Sequence, residues 1–242
     1  MVYLIDEEMQ RMIAARIDAA VAEVLRELPN HGSEEGLTPV LGHALRKQSV
    51  QAGDLQVKFN YRQLNKITEE PTSGADGGFL VTVQNTDTTV QKAALFQAKL
   101  LRGSKPVRQL RMNAGEVSRL SRQVESMLGQ TSESVAVFYT HQQVYVVDAS
   151  DYKGRTADSA RTPLSSSHRL ITLGTYLGRW IPRCTKGDQN PDVIRRVQHL
   201  DGFKRGLTME VISQRPSIAS ALDPGEVSWQ RFGTRAHRVS SR

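Results

Sequence analysis

The chain has 242 residues, 38% of them hydrophobic and 24% charged, an ordinary globular composition with room for one large domain or a domain with an appendage. A formal net charge of +7 points toward a polyanionic partner, most simply nucleic acid. Cys184 is the only cysteine, which excludes an intramolecular disulfide, argues against a cysteine-built zinc site and fits a reducing, cytoplasmic setting.

From Asp6 to Leu28, the residues Met9, Ile13, Ile17, Ala20, Val21, Val24 and Leu28 recur at helical spacing, with acidic residues at the start to suit the helix dipole. The spacing predicts a long amphipathic helix that packs on the domain or on a second copy of the chain. Asp6, Glu7, Glu8 and Arg11 among these first apolar residues are unlike a signal peptide, and no apolar run approaches the length of a membrane span. A second helix runs to about Gln48 on a stripe of Leu37, Val40, Leu41, Ala44 and Leu45. Ser33 is one candidate start, but Pro39 favours a start nearer Gly36 or Leu37.

Leu55, Val57, Phe59 and Tyr61 alternate with polar residues as in a strand. Residues 62–73 are polar, hold Glu69-Glu70-Pro71 and read as a loop. Phe79 to Val83 and Ala93 to Phe96 are then two buried strands, joined by a turn over Gln84 to Gln91. Leu110, Ala114, Val117, Leu120, Val124 and Met127 predict a helix over 107–128, and two further strands follow at 134–139 and 143–147. The order of elements implies an α/β fold with a mixed central sheet flanked by helices.

Beyond Asp148 the pattern weakens. Residues 150–167 are polar and Ser-rich, residues 171–181 read as a helix, and residues 206–213 as a short strand. The last stretch carries Arg231, Arg235, Arg238 and Arg242 with little apolar content and is expected to be an appendage. The domain reading is an N-terminal helix over 1–32, a core over 33–149, and a C-terminal extension over 150–242.

The chemistry concentrates on Gly74-Ala75-Asp76-Gly77-Gly78 and Gln97-Ala98-Lys99. Gln97 and Lys99 lie two apart on one strand and so share a face. If the hairpin pairs through its turn, Asp76 lands beside them. A phosphodiester-cleaving site needs a divalent cation held by oxygens and an activated water. Asp76 would then ligate the metal, with the Gln97 amide oxygen and the Ala98 carbonyl as further ligands. Lys99 would orient or deprotonate the water and stabilise the developing charge. The plain alternative is that Lys99 merely leaves the sheet into solvent.

Glu34 ahead of Leu37-Thr38, followed by Gly74-Ala75-Asp76 and Gln97-Ala98-Lys99, resembles the restriction-endonuclease-like PD-(D/E)xK nuclease superfamily over about residues 33–147. It is most similar to the branch with Gln-x-Lys found in Mrr-like restriction enzymes and anti-phage defence effectors. The resemblance implies a restriction-endonuclease-like core and a Mg²⁺ cofactor, with Mn²⁺ as a substitute, held by the Asp and the Glu/Gln. It also implies a catalytic lysine and a Glu on the preceding helix that completes the site.

That last role falls on Glu34 or Glu35. Leu41 and Leu45 lie about two and three turns beyond Glu34, which sets it on the buried stripe, while Glu35 is rotated by about 100° toward solvent. Both are otherwise a charged first turn favoured by the dipole.

The implied activity is endonucleolytic hydrolysis of DNA in restriction or anti-phage defence, with a homo-oligomer or a defence-system subunit as further partners and no membrane. Arg102, Lys105, Arg108 and Arg111 follow Lys99 and can track phosphates, or simply solvate a helix start. Gln123 is a weaker candidate for the site. Gln97 departs from the acidic family pattern and removes one fixed charge. The rival reading is a catalytically inactive nucleic-acid-binding or assembly subunit of the same fold.

Overall fold

The computed structural model describes residues 2–30, 33–64, 73–153, 161–165, 170–183, 185–215 and 218–219. Helix α1, Glu7–Glu27, starts at Asp6, whose carboxylate accepts the Met9 N–H at 2.8 Å. This satisfies one of the four amide groups that a helix start leaves without partners. Ile13, Ile17 and Val24 are fully enclosed, so α1 packs on its own chain's core. Helix α2, Glu34–Lys47, begins after Ser33 and carries Pro39 within it. It therefore starts before the Gly36 or Leu37 that Pro39 favours.

The main sheet has eight strands: β2 (Val50–Ala52), β3 (Leu55–Gln63), β4 (Gly77–Gln84), β5 (Thr89–Leu100), β6 (Ser134–Tyr139), β7 (Val144–Asp148), β8 (Ile171–Thr172) and β9 (Arg205–Ser213). Their spatial order is β2-β3-β9-β4-β5-β6-β7-β8. β9 runs parallel to β4, and β5 parallel to β6; the other neighbouring pairs are antiparallel. Two short strands, β1 (Val2–Tyr3) and β10 (Ile218–Ala219), pair separately. The chain is an α/β protein with a mixed sheet between helical layers.

On one face lie α1, α2 and α4 (Leu173–Thr175), over a core that includes Leu37, Leu45, Phe79, Phe96 and Tyr176. Phe79 and Phe96 stack with ring centres 4.5 Å apart. On the other face lie α3 (Ala114–Leu128) and α5 (Pro191–His199), over a core that includes Leu95, Leu120, Val124, Phe138 and Val197.

Three readings of the sequence need correction. The helix expected over 107–128 is divided: Val107–Gln109 form a 3-10 turn, and α3 starts only after Asn113. Asn113 and Glu116 form a reciprocal capping box, which satisfies the first amides where the longer helix would have offered none of these caps.

The helix expected over 171–181 is present in part: Ile171–Thr172 form strand β8, and the helical stretch is the short α4 continued by a π-helical turn over Tyr176–Trp180. This segment lies against α1 so closely that a Cβ at Gly178 would sit 2.6 Å from the Ala14 backbone nitrogen. Contact with α1, rather than intrinsic helical propensity, sets its shape.

The strand expected over 206–213 is present, and the third correction concerns only its place in the fold. β9 is nine residues long and lies between β3 and β4, with Leu207, Met209 and Val211 buried in the main core. Residues 205–213 therefore belong to the central sheet, although the domain reading set them in the C-terminal extension over 150–242. Glu69, Glu70 and the arginines from 231 onward lie outside the described residues.

Candidate active site

Asp76 immediately precedes β4. The β4–β5 ladder pairs Gly77 with Phe96 and runs to Gln84 with Thr89, so its next step sets Asp76 across from Gln97. The Asp76 N–H extends that ladder by donating to the Phe96 carbonyl at 2.9 Å.

The loop before it is held by Gly74, at φ +71°, where a Cβ would come within 2.5 Å of the Gln123 carbonyl of α3. Only glycine combines this backbone angle with that approach. The turn is thereby brought against α3 and the carboxylate delivered to the end of the sheet.

Asp76 Oδ2 accepts two hydrogen bonds, from Gln97 Nε2 at 2.5 Å and from the Ala98 N–H at 2.9 Å. Gln97 Nε2 also donates to the Ala98 carbonyl at 3.2 Å. Gln97 is only 2% exposed, and its Oε1 is buried with no hydrogen-bond partner among the described residues. A buried amide oxygen left unpaired costs about 1–3 kcal/mol, so an acceptor held in this way suggests a missing donor or cation.

Burial is the main influence on the Asp76 carboxyl and raises its pKa above the usual aspartate value of 3.8. The Ala98 N–H and the positive charges of Lys99 and Arg205 oppose that rise, and Glu34 adds to it.

Lys99 is 5% exposed, and its Nζ lies 3.7 Å from Glu34 Oε1. It does not run out into solvent. Of the two acids in the first turn of α2, Glu34 turns toward the lysine, and Glu35 is exposed. Asp76, Gln97, Ala98, Lys99 and Glu34 thus form one neighbourhood built from three elements separated in sequence.

Asp76 and Gln97 also line a cavity of about 300 Å³. Arg119, Arg122, Gln123 and Ser126 of α3, with Lys204 and Glu35, form the rest of its polar wall. Arg102, Lys105 and Arg108 lie elsewhere: they are exposed in the loop after β5, and Arg108 Nη1 donates to the Ser165 carbonyl at 3.0 Å. None of these three lines the cavity.

Arg205 was not singled out from sequence. It opens β9, is 4% exposed, and its Nη2 donates to the Glu35 carbonyl at 3.2 Å. Its charge also acts on Tyr61, whose phenol is pushed up to about 12 chiefly by burial and so stays neutral. The available signal was a cation at the mouth of an apolar strand, since a charged side chain is rarely buried without a partner. Arg119 and Arg122 were legible only as polar positions one turn apart.

A hard divalent cation takes carboxylate, carbonyl and amide oxygens. The donors here fit in kind: Asp76 Oδ2 and the Ala98 carbonyl converge on the Gln97 amide group, and the orphan Oε1 belongs to that same group. A half-rotation of the amide exchanges its nitrogen for its oxygen. The fixed charge is sparse, since no cluster of three or more His, Cys, Asp or Glu residues suited to a metal occurs among the described residues.

Compared with protein-family models, curated proteins and solved structures, the chain matches none. The fold and site therefore define its class directly: an α/β protein with a mixed eight-stranded sheet, bearing a partly buried Asp–Gln–Lys–Glu cluster. No helix among the described residues is long and apolar enough to cross a membrane.

Proposed function

We propose that this chain is a metal-dependent nuclease that hydrolyses phosphodiester bonds of DNA, with a site resembling that of the PD-(D/E)xK superfamily. The observation that carries the reading is the convergence of the Asp76 carboxylate, the Gln97 amide and the Ala98 peptide group on one point beside a buried lysine. Asp76, Gln97, Ala98 and Glu34 would hold Mg²⁺ or Mn²⁺, which would neutralise phosphate charge and lower the pKa of a bound water.

The chain's own groups do the rest. Lys99, restrained by Glu34, orients the attacking water and stabilises the charge that builds on the phosphorane oxygens. Water adds to phosphorus, one P–O bond breaks, and the departing oxygen takes a proton. Restriction or anti-phage defence in the cytoplasm is the setting this reading implies, with assembly into an oligomer or with a defence partner.

The second reading, a nucleic-acid-binding or assembly subunit without turnover, is favoured by the neutral Gln97 and by the shortage of acidic ligands. Plasmid DNA, linear DNA and RNA incubated with the purified chain, with and without Mg²⁺ or Mn²⁺, separate the two. Wild type should cut DNA only with the metal. Asp76→Ala and Lys99→Ala should lower cleavage at least about 100-fold while leaving circular dichroism unchanged. Cleavage by both variants at the wild-type rate overturns the nuclease reading; binding without cleavage in either metal establishes the second.

A further inference from the structure

The cavity beside Asp76 has a ligand chemistry of its own. Arg119 and Arg122 stand three residues apart on one face of α3, and Lys204 reaches the same opening from the turn before β9. None of these three side chains has an ion pair or hydrogen bond among the described residues. Free cations gathered from two distant stretches of chain leave the opening open to an anion.

Two acids, Glu35 and Asp76, line the same cavity, so three cations face two carboxylates. Among the described residues no aromatic side chain lines the cavity, which leaves no platform there on which a base can stack. The uncommitted Gln123 Oε1 and the Ser126 hydroxyl add polar contacts.

We propose that this cavity is a subsite for the sugar–phosphate backbone of a polynucleotide, with Arg119, Arg122 and Lys204 as phosphate contacts and no reading of base identity. The proposal rests on the nuclease reading only for the role of the bound strand; binding stands apart from cleavage. It moves the nucleic-acid contact from the loop carrying Arg102, Lys105 and Arg108 to the α3 side of the site. Asp76 and Gln97 line the same cavity as these phosphate contacts.

The experiment is fluorescence anisotropy in EDTA, with labelled DNA and RNA oligonucleotides, single-stranded and duplex, over a range of salt concentrations. Wild type is compared with Arg119→Ala/Arg122→Ala/Lys204→Ala. A charge-matched control, Arg11→Ala/Arg26→Ala/Lys47→Ala, alters the helices on the opposite face of the sheet.

Each phosphate contact contributes about 0.9 to the slope of log affinity against log salt for duplex DNA and about 0.7 for single strands. The cavity variant should lose about two to three units of slope on duplex DNA, equally for oligonucleotides of different sequence, and the control should lose less than about one. The DNA and RNA arms identify which polymer is held.

Equal slope losses in cavity variant and control overturn the proposal, as does an unchanged slope in the cavity variant. A wild type that binds through the cavity but cuts nothing in Mg²⁺ or Mn²⁺ supports the subsite and removes the nuclease reading.

Discussion

Asp76 shows how one carboxylate can be both structural and chemical. It ties the start of β4 to β5 through two hydrogen bonds, yet burial raises its pKa above 3.8. An acid whose folded pKa is raised holds its proton more tightly in the folded chain than in the unfolded one. Stability then falls as pH rises between the two values, and the deficit is fully present above the folded one. Asp76→Asn keeps an oxygen that can accept from Gln97 and Ala98 but carries no charge. It should therefore be more stable than wild type near pH 7, with the gap closing as pH falls toward 3.8. Urea denaturation at several pH values checks this; a wild type that is the more stable at neutral pH contradicts it. Gln97 stands opposite Asp76 because their ladder is local, with only the 85–88 turn between the two strands. That pairing was legible in the sequence. The direction of the Gln97 amide was not, because it depends on which atoms meet it in space.

Helix α2 gives the lesson at the scale of the element. Pro39 has no N–H, so the carbonyl of Glu35 loses its intrahelical donor, and Arg205 of β9 donates to it instead. The helix thereby extends through Glu34 even though a proline interrupts its first turns. A bond from a charged donor contributes about 1.5–3 kcal/mol, partly offset by the cost of burying the cation. Arg205→Met should lower stability by about 1–2 kcal/mol. In a Pro39→Ala background, where residue 39 can supply the missing N–H, that loss should shrink by about 1 kcal/mol. Equal losses in both backgrounds would show that Arg205 acts by some other route, and chemical denaturation of the four proteins decides. The same kind of local competition explains α3. Its apolar periodicity continues back to Val107, but the cap at Asn113 is stronger than that periodicity, and Leu110 and Met112 are buried outside the helix.

For the whole molecule, the decisive placement is β9. It pairs with β3 along Leu55–Gln63 and with β4 along Gly77–Gln84, filling the centre of the sheet from late in the chain. A fragment ending at residue 149 would expose both neighbouring ladders as edges and open the core around Leu207, Met209 and Val211. That fragment should fail to fold, giving no cooperative thermal transition and aggregating on size-exclusion chromatography, where the full chain gives a transition. A fragment that melts cooperatively as a monomer would show that the sheet does not need β9.

The sequence alone determined the helices α1 and α2, the hairpin of β4 and β5, the pair β6 and β7, and the placing of Asp76 beside Gln97 and Lys99. Each rests on periodicity or on a short connection, which are properties of neighbouring residues. Only the tertiary structure decided that β9 divides β3 from β4, that Arg205 replaces the donor lost at Pro39, and that Arg119, Arg122 and Lys204 line the cavity while Arg102, Lys105 and Arg108 do not. These relations join residues far apart in the chain, and no local pattern carries the register or the direction in which they meet.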